Sequence, residues 1–479
     1  MKILLCAFLL LFSKELVHAQ ENSYTPDPNP VIRQRLEAWQ DLKFGLLMHW
    51  GTYSQWGIVE SWSICPEDVG WAVGGQKPGV ADNYIEYVRK YEELPRTFNP
   101  EKFNPERWAA AAKAAGMKYM VFTTKHHDGF AMFDTQYSDY KITQTPFGSN
   151  PRSNVTKEVF DAFRKQNFWI GAYFSKPDWH SDYYWWKKFP PSDRNCNYSI
   201  AKHPDQWEKF KTFTHNQVNE LVSDYGRVDI LWLDGGWVRK KTEDEIKAEL
   251  LDVYDGSRWF RNPQSQDIDM AGLVKMARSK QPELIVVDRA VPGEHQNYLT
   301  PEQHIPDEGL PYPWETCMTM ATSWSYVPGD KYKPANELIE KLVDIVSKGG
   351  NYLLNIGPGP DGEFDPVAYE RLKEIGDWMN VNGEAIYGTR MYSVFKDGEN
   401  IRFTQSKDGK TKYIFLFDLP AGNIVLTKMK FSKNDVLQMP GSSSKLRWRE
   451  KDGQVEITIP DALRNSGKHV WVIRVRGKS

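Results

Sequence analysis

At 479 residues the chain is too long for one ordinary domain and suits a barrel carrying a smaller module. Its 61 Lys and Arg against 63 Asp and Glu give a net charge of −2. With no basic stripe to neutralise phosphates, neither nucleic acid nor a membrane surface is an expected partner. The informative bias is aromatic: 19 Trp, 23 Tyr and 23 Phe either fill a large core or stack on the apolar faces of sugars.

The chain opens with Met1-Lys2 and an apolar run over 3–12, too short to span a bilayer. Val17-His18-Ala19 then places small residues ahead of Gln20. Residues 1–19 read as a secretory signal peptide, so the protein is expected to be exported without membrane insertion. The junction favours a periplasm over a lysosome or the medium. Cys6 lacks the small-residue context of a lipoprotein cysteine. Cys65, Cys196 and Cys317 remain, an odd set with no metal-cluster spacing and room for one disulfide at most. Residues 20–31 are polar and Pro-rich and read as a linker.

From 32 to 385, strand-like runs alternate with helical patterns, which predicts parallel strands in an α/β fold. The strand candidates are 44–49, 119–124, 169–174, 228–233, 284–287 and 352–355. Asn104-Pro105 offers a helix N-cap and a first-turn proline, and Gly116 stops that helix. Helices are also expected over 206–222 and 336–347. Six strands rather than eight suggest an irregular (β/α)8-like TIM barrel with one or two poorly marked strands, ahead of a doubly wound sheet. From 386 to 479 the pattern changes to short β-type runs at 401–404, 412–417, 424–426, 455–459 and 469–475, which predict an antiparallel β-sandwich.

Polar residues gather where the strand candidates end. Asp234 follows the apolar run 228–233 and precedes two glycines, so it leaves the core at the barrel rim where catalytic groups sit. Capping of the next segment is the alternative role. His49, His126, His127, Tyr173, Trp232 and Arg289 lie at or beyond other strand ends. Such a set suits a polyhydroxylated ligand, although each histidine alone is also compatible with a satisfied core position. Adjacent histidines are poor chelators, and no HxH, HExxH or carboxylate cluster accompanies them. Neither a metal nor a cofactor is therefore expected. Glycoside hydrolysis needs a second carboxyl group besides Asp234. Glu294 and Glu302 are the nearest candidates, with Glu308 and Glu315 weaker.

Six strings in order, FGLLMHWG at 44–51, KHHDGF at 125–130, WLDGG at 232–236, VDR at 287–289, TPEQ at 300–303 and SKGGNYLLNIGPGPDG at 347–362, resemble the retaining α-L-fucosidases of the GH29 family. The similarity runs from about residue 30 to 390. It implies a catalytic barrel over 32–385, a β-sandwich over 386–479, and exo-release of terminal α-L-fucose from a fucosylated oligosaccharide or glycoconjugate with retention. The family's nucleophile maps onto Asp234. Its fucose contacts map onto His49, Glu60, Trp62, His126, His127, Tyr173, Trp232 and Arg289. Ser61 separates Glu60 from Trp62, where similar sequences often have the two adjacent. Glu302 resembles the acid/base position of several members, and Glu294 is the alternative. A lectin with the same pocket is the competing reading, and a metal-dependent hydrolase using His126, His127 and Asp128 is a third. The chain leaves oligomeric state open.

Overall fold

The computed structural model describes residues 24–66, 75–254, 263–464 and 468–477. The expected signal peptide lies outside the described residues. Seven strands form the central sheet: β1 (Phe44–Met48), β2 (Tyr119–Lys125), β3 (Trp169–Ser175), β4 (Ile230–Asp234), β5 (Ile285–Asp288), β6 (Glu315–Thr319) and β7 (Asn351–Asn355). Their order is β5-β4-β3-β2-β1-β7-β6, and every neighbouring pair is parallel. Parallel strands need crossovers that cover both faces, and these strands are buried almost throughout.

Among the described residues the helices of nine residues or more are α1 (Pro30–Gln40), α2 (Tyr84–Glu92), α3 (Pro105–Ala114), α4 (Val155–Lys165), α5 (Pro204–Asp224), α6 (Glu243–Tyr254), α7 (Met270–Lys280), α8 (Ala335–Ser347) and α9 (Pro366–Asn382). Asn104 caps α3 as expected, its side chain accepting from the Arg107 N–H at 3.0 Å. α1 begins at Pro30, inside the stretch read as linker. Its Ile32, Leu36 and Trp39, spaced along one helical face, join the cluster that fills the barrel with Leu47, Tyr119, Val121, Tyr173, Ile230, Trp232, Ile285 and Val287. Trp39 stacks on Tyr298 at 4.0 Å. Alternate residues of each strand point into this cluster, so Ile230 and Trp232 face inward together and Leu231 and Leu233 face the helices.

The eighth position of the barrel is filled irregularly. The chain from Gln296 to Gln303 runs between β5 and β6. It pairs with β5 through Val287 and Gln296, and with the β6 side through Leu299 and Trp314 and through Glu302 and Cys317. The Asn297 N–H donates to the Val286 carbonyl at 3.0 Å, and the Gln303 N–H to the Cys317 carbonyl at 2.9 Å. Glu302 therefore sits on the segment that closes the barrel.

Eight antiparallel strands follow: β8 (Thr389–Lys396), β9 (Ile401–Ser406), β10 (Thr411–Leu416), β11 (Ile424–Leu426), β12 (Val436–Gln438), β13 (Lys445–Lys451), β14 (Gln454–Thr458) and β15 (Trp471–Arg476). They form one sheet, β11-β14-β13-β12-β15-β10-β9-β8. Phe403 and Ile414 from one end share a core with Ile424, Val455 and Ile457 from the other, so the sheet folds over on itself as a sandwich. Cys65, Cys196 and Cys317 are all buried, and none forms a disulfide among the described residues. No described helix is long and apolar enough to cross a membrane.

Candidate active site

Asp234 is the last residue of β4 and lies beside Ser175 of β3. The turn that follows is forced by packing. Gly235 has φ +90, and a Cβ there would lie 2.3 Å from Pro177 Cδ. A Cβ on Gly236 would lie 2.9 Å from the Arg289 carbonyl oxygen. These contacts turn the chain sharply enough to leave the carboxylate in the rim.

Three donors fix that carboxylate. The Tyr173 hydroxyl donates to Oδ2 at 2.7 Å, Arg289 Nη1 to Oδ1 at 3.0 Å, and the Gly235 N–H to Oδ1 at 2.8 Å. His127 Nε2 stands 3.8 Å from Oδ2. Burial alone would push the Asp234 carboxyl up, but the Arg289 charge, with His127, Tyr173 and Gly235 adding to it, holds it well below the usual carboxylate range. Burial lowers His127 itself to about 3, so at neutral pH the imidazole is uncharged and Arg289 is the cation that counts.

Arg289 follows β5, and its second terminal nitrogen donates to Glu302 Oε2. One guanidinium thus holds Asp234 and Glu302 together. Its face lies over the Trp232 ring, 5.4 Å from the centroid. Trp232 also stacks on Tyr173 at 5.2 Å and donates Nε1 to buried Glu315 at 3.4 Å. It is buried and packs against both Tyr173 and Arg289, two of the donors to Asp234.

The histidines come from the ends of two adjacent strands, β1 and β2. His49, one residue past β1, places Nδ1 2.8 Å from Asn355 Oδ1. The Asn355 amide donates to the Trp324 carbonyl at 2.7 Å, which leaves its oxygen as acceptor. His49 Nδ1 then carries the proton, and Nε2 is an acceptor. Burial depresses His49, which keeps the ring neutral. His126 Nδ1 lies 2.5 Å from the Ser61 hydroxyl, which also accepts from the Asp128 N–H at 3.0 Å. The residue that separates Glu60 from Trp62 therefore anchors the histidine loop. His126 and His127 both reach the site because they lie just beyond β2, on the loop.

Glu60 is buried, and burial first, then the charge of Glu302, pushes its carboxyl up to about 7. Trp62 packs against His127 at 5.1 Å, Trp179 at 5.2 Å and Trp237 at 5.8 Å, and the Arg194 guanidinium lies 4.6 Å from its centroid. Asp128 turns away from the site, accepting from the Tyr91 hydroxyl at 2.7 Å. Glu294 is 54% exposed and stands 3.8 Å from His295 Nε2. Glu315 lies inside the barrel, accepting from the Tyr119 hydroxyl at 2.6 Å.

Sequence reasoning missed Asn355, Ser61, Trp179, Trp237 and Trp324. Asn355 ends the strand candidate 352–355 and could have been found by its position. Trp237 follows the two glycines by one residue, a weak signal. Trp179 and Trp324 carried none.

His126, His127 and Asp234 have potential ligand atoms within 4.8 Å of one another. Both Asp234 oxygens are already engaged, and an ion there would face the Arg289 cation. That donor set does not fit a divalent metal. It does fit a neutral polyol. There are acceptors and donors at several angles, indoles on one side, and a carboxylate kept ionised beside a second one.

The α-L-fucosidase family model matches residues 11–384. The tissue α-L-fucosidase of Rattus norvegicus is 29% identical over 94% of this chain and 92% of its own length. Among solved structures, α-L-fucosidase isoenzyme 1 from Paenibacillus thiaminolyticus superposes with a TM-score of 0.74 at 29% identity, covering 94% of this chain and 100% of that one. The Thermotoga maritima α-fucosidase in complex with fucose gives a TM-score of 0.71 at 25% identity, covering 94% and 99%. The curled parallel sheet and the appended antiparallel sheet agree with these matches, and the chain belongs to the α-L-fucosidase family.

Proposed function

We propose that Asp234 and Glu302 carry out a retaining double displacement at the anomeric carbon of terminal α-L-fucose. The chain is an exo-acting α-L-fucosidase and a glycoside hydrolase. The observation that carries the assignment of roles is Arg289 donating to both carboxylates at once. A lectin has no use for an ionised carboxylate at C1 with a proton donor beside it.

Asp234 Oδ2 attacks C1 while the C1–O bond to the aglycone breaks and Glu302 gives its proton to the departing oxygen. A covalent fucosyl ester forms. Water then attacks C1 as Glu302 takes a proton from it, and the ester bond breaks to return Asp234 to its carboxylate. Retaining chemistry needs the two carboxyl groups about 5–5.5 Å apart. Attachment to opposite nitrogens of one guanidinium supports such a spacing for Glu302. Glu294, exposed and beside His295, has no comparable link, which favours Glu302.

Neutral His49 and His126, with Glu60 and Arg289, hold the sugar hydroxyls, and Trp62 packs against the fucose methyl group or ring face. Tyr173 orients the nucleophile, and Trp232 supports it from below. We assign residues 32–385 as the catalytic unit and 386–479 as the sandwich domain. We also assign the protein to an exported pool, with the periplasm as its compartment.

The test is product stereochemistry. NMR of an aryl α-L-fucoside digest should show α-L-fucose forming first and mutarotating later. Initial β-L-fucose would overturn the double displacement.

A further inference from the structure

Behind the carboxylate rim lies an ion pair that the reaction scheme does not use. Lys176 Nζ bonds Asp288 Oδ1, and the two side chains are 0% and 3% exposed. Lys176 is the first residue after β3 and Asp288 the last of β5. β4, which carries Asp234, runs between those two strands. The pair therefore spans the strand of the nucleophile and ties its two neighbours together.

The backbone repeats the connection. The Lys176 N–H donates to the Asp234 carbonyl at 2.9 Å, and the Arg289 N–H donates to the Leu233 carbonyl at 3.0 Å. The turn at Gly235 and Gly236 is wedged between Pro177, next to Lys176, and the Arg289 carbonyl. Asp234 is thus gripped from both sides by residues adjacent to the ion pair, and Arg289 is bonded directly to one member.

We propose that Lys176 and Asp288 are positioning residues that set the Arg289 guanidinium against Asp234 and Glu302. This rests on the reading of Asp234 and Glu302 as the reacting pair. A buried ion pair is a poor stabiliser, since well-packed apolar residues of the same volume often hold a fold as well or better. What an apolar contact cannot supply is a fixed direction between two strand ends. A guanidinium with two carboxylates to reach needs that direction. Displacing a reacting group by about 1 Å costs on the order of a hundredfold in rate.

The test variant is Lys176→Met combined with Asp288→Asn, which removes both charges and so leaves neither buried alone. It should fold, judged by its far-UV spectrum and melting transition. On an aryl α-L-fucoside, kcat should fall about a hundredfold with KM changed much less. The groups facing Asp234 are Arg289, Tyr173, His126, His127, His49 and Cys317, with Glu302 beyond Arg289. With Arg289 displaced, Asp234 loses the charge that keeps it ionised. The acid limb of kcat/KM should therefore move to higher pH relative to wild type.

If the doubly neutral chain does not fold, Asp288→Glu decides. It keeps the charge pair but lengthens one arm, and should show the same loss and the same shift. Either folded variant with wild-type kcat, or with a lower kcat and an unmoved acid limb, would overturn the positioning role. Inactivity of the wild-type chain on the fucoside would instead overturn the assignment of Asp234 and Glu302.

Discussion

Arg289 Nη1 lies 3.0 Å from Asp234 Oδ1 while its other terminal nitrogen holds Glu302, so one cation sets the ionisation of the nucleophile and the place of its partner. The guanidinium reaches both because its residue follows β5 directly, one strand over from Asp234, and Glu302 lies on the irregular segment beyond.

Asp234→Ala removes the attacking oxygen and relieves a crowded, charged turn, so the variant should fold. Its activity on an aryl α-L-fucoside should fall by at least about a thousandfold. Added azide should then enter the vacated space and yield β-L-fucosyl azide. Hydrolysis close to the wild-type rate would remove Asp234 from the mechanism.

Glu302→Ala and Glu294→Ala separate the two candidate acids. The true acid matters most when the leaving oxygen is poor. Glu302→Ala should lose activity by about a hundredfold or more on a fucosyl disaccharide and far less on a dinitrophenyl fucoside. Glu294→Ala should stay within about threefold on both. The opposite pattern transfers the role to Glu294.

Arg289→Met should lower kcat/KM by about a hundredfold or more. The sign of its pH effect follows from the charge. Arg289 holds the Asp234 carboxyl well below the ordinary range, so loss of that cation lets burial raise it. The acid limb should move to higher pH in the kcat/KM profile. An unmoved limb would show that Arg289 does not set the ionisation of Asp234.

Glu315 gives a prediction on stability. Burial in the barrel pushes its carboxyl from an ordinary value of 4.5 to about 7. Below 4.5 both folded and unfolded chains hold the proton. Between 4.5 and 7 only the unfolded chain ionises, so stability falls with rising pH, by about 3 kcal/mol in total from this group. Glu315→Gln should melt with a smaller drop between pH 5 and pH 8 than wild type. An equal drop in both proteins would contradict the account.

Much of the barrel was legible because burial on both faces writes itself into strands as continuous apolar runs. All six strand candidates of the barrel are strands, with ends shifted by no more than two residues. β6 escaped because Glu-Thr-Cys-Met-Thr has no such run. Its burial comes from its neighbours and its Glu315 is satisfied inside the barrel. The closing segment at 296–303 escaped because it changes partner once, from β5 to the β6 side, and has no period of its own. In the sandwich, β8, β12 and β13 were missed because much of their surface is exposed or half-exposed.

The candidate site divides in the same way. Asp234, His49 and Arg289 could be found from sequence because a polar side chain at the end of an apolar strand lands at the rim whatever the loops do. The choice between Glu302 and Glu294 could not, since both lie on one irregular loop and chain order says nothing about which faces Arg289. The tertiary structure decided that Trp232 meets Tyr173, Arg289 and Glu315, that Ser61 bonds His126, and that Lys176 meets Asp288 across 112 positions. Local pattern fixes where a side chain leaves its strand. Which partner it meets depends on strand order and loop path, which are properties of the assembled barrel.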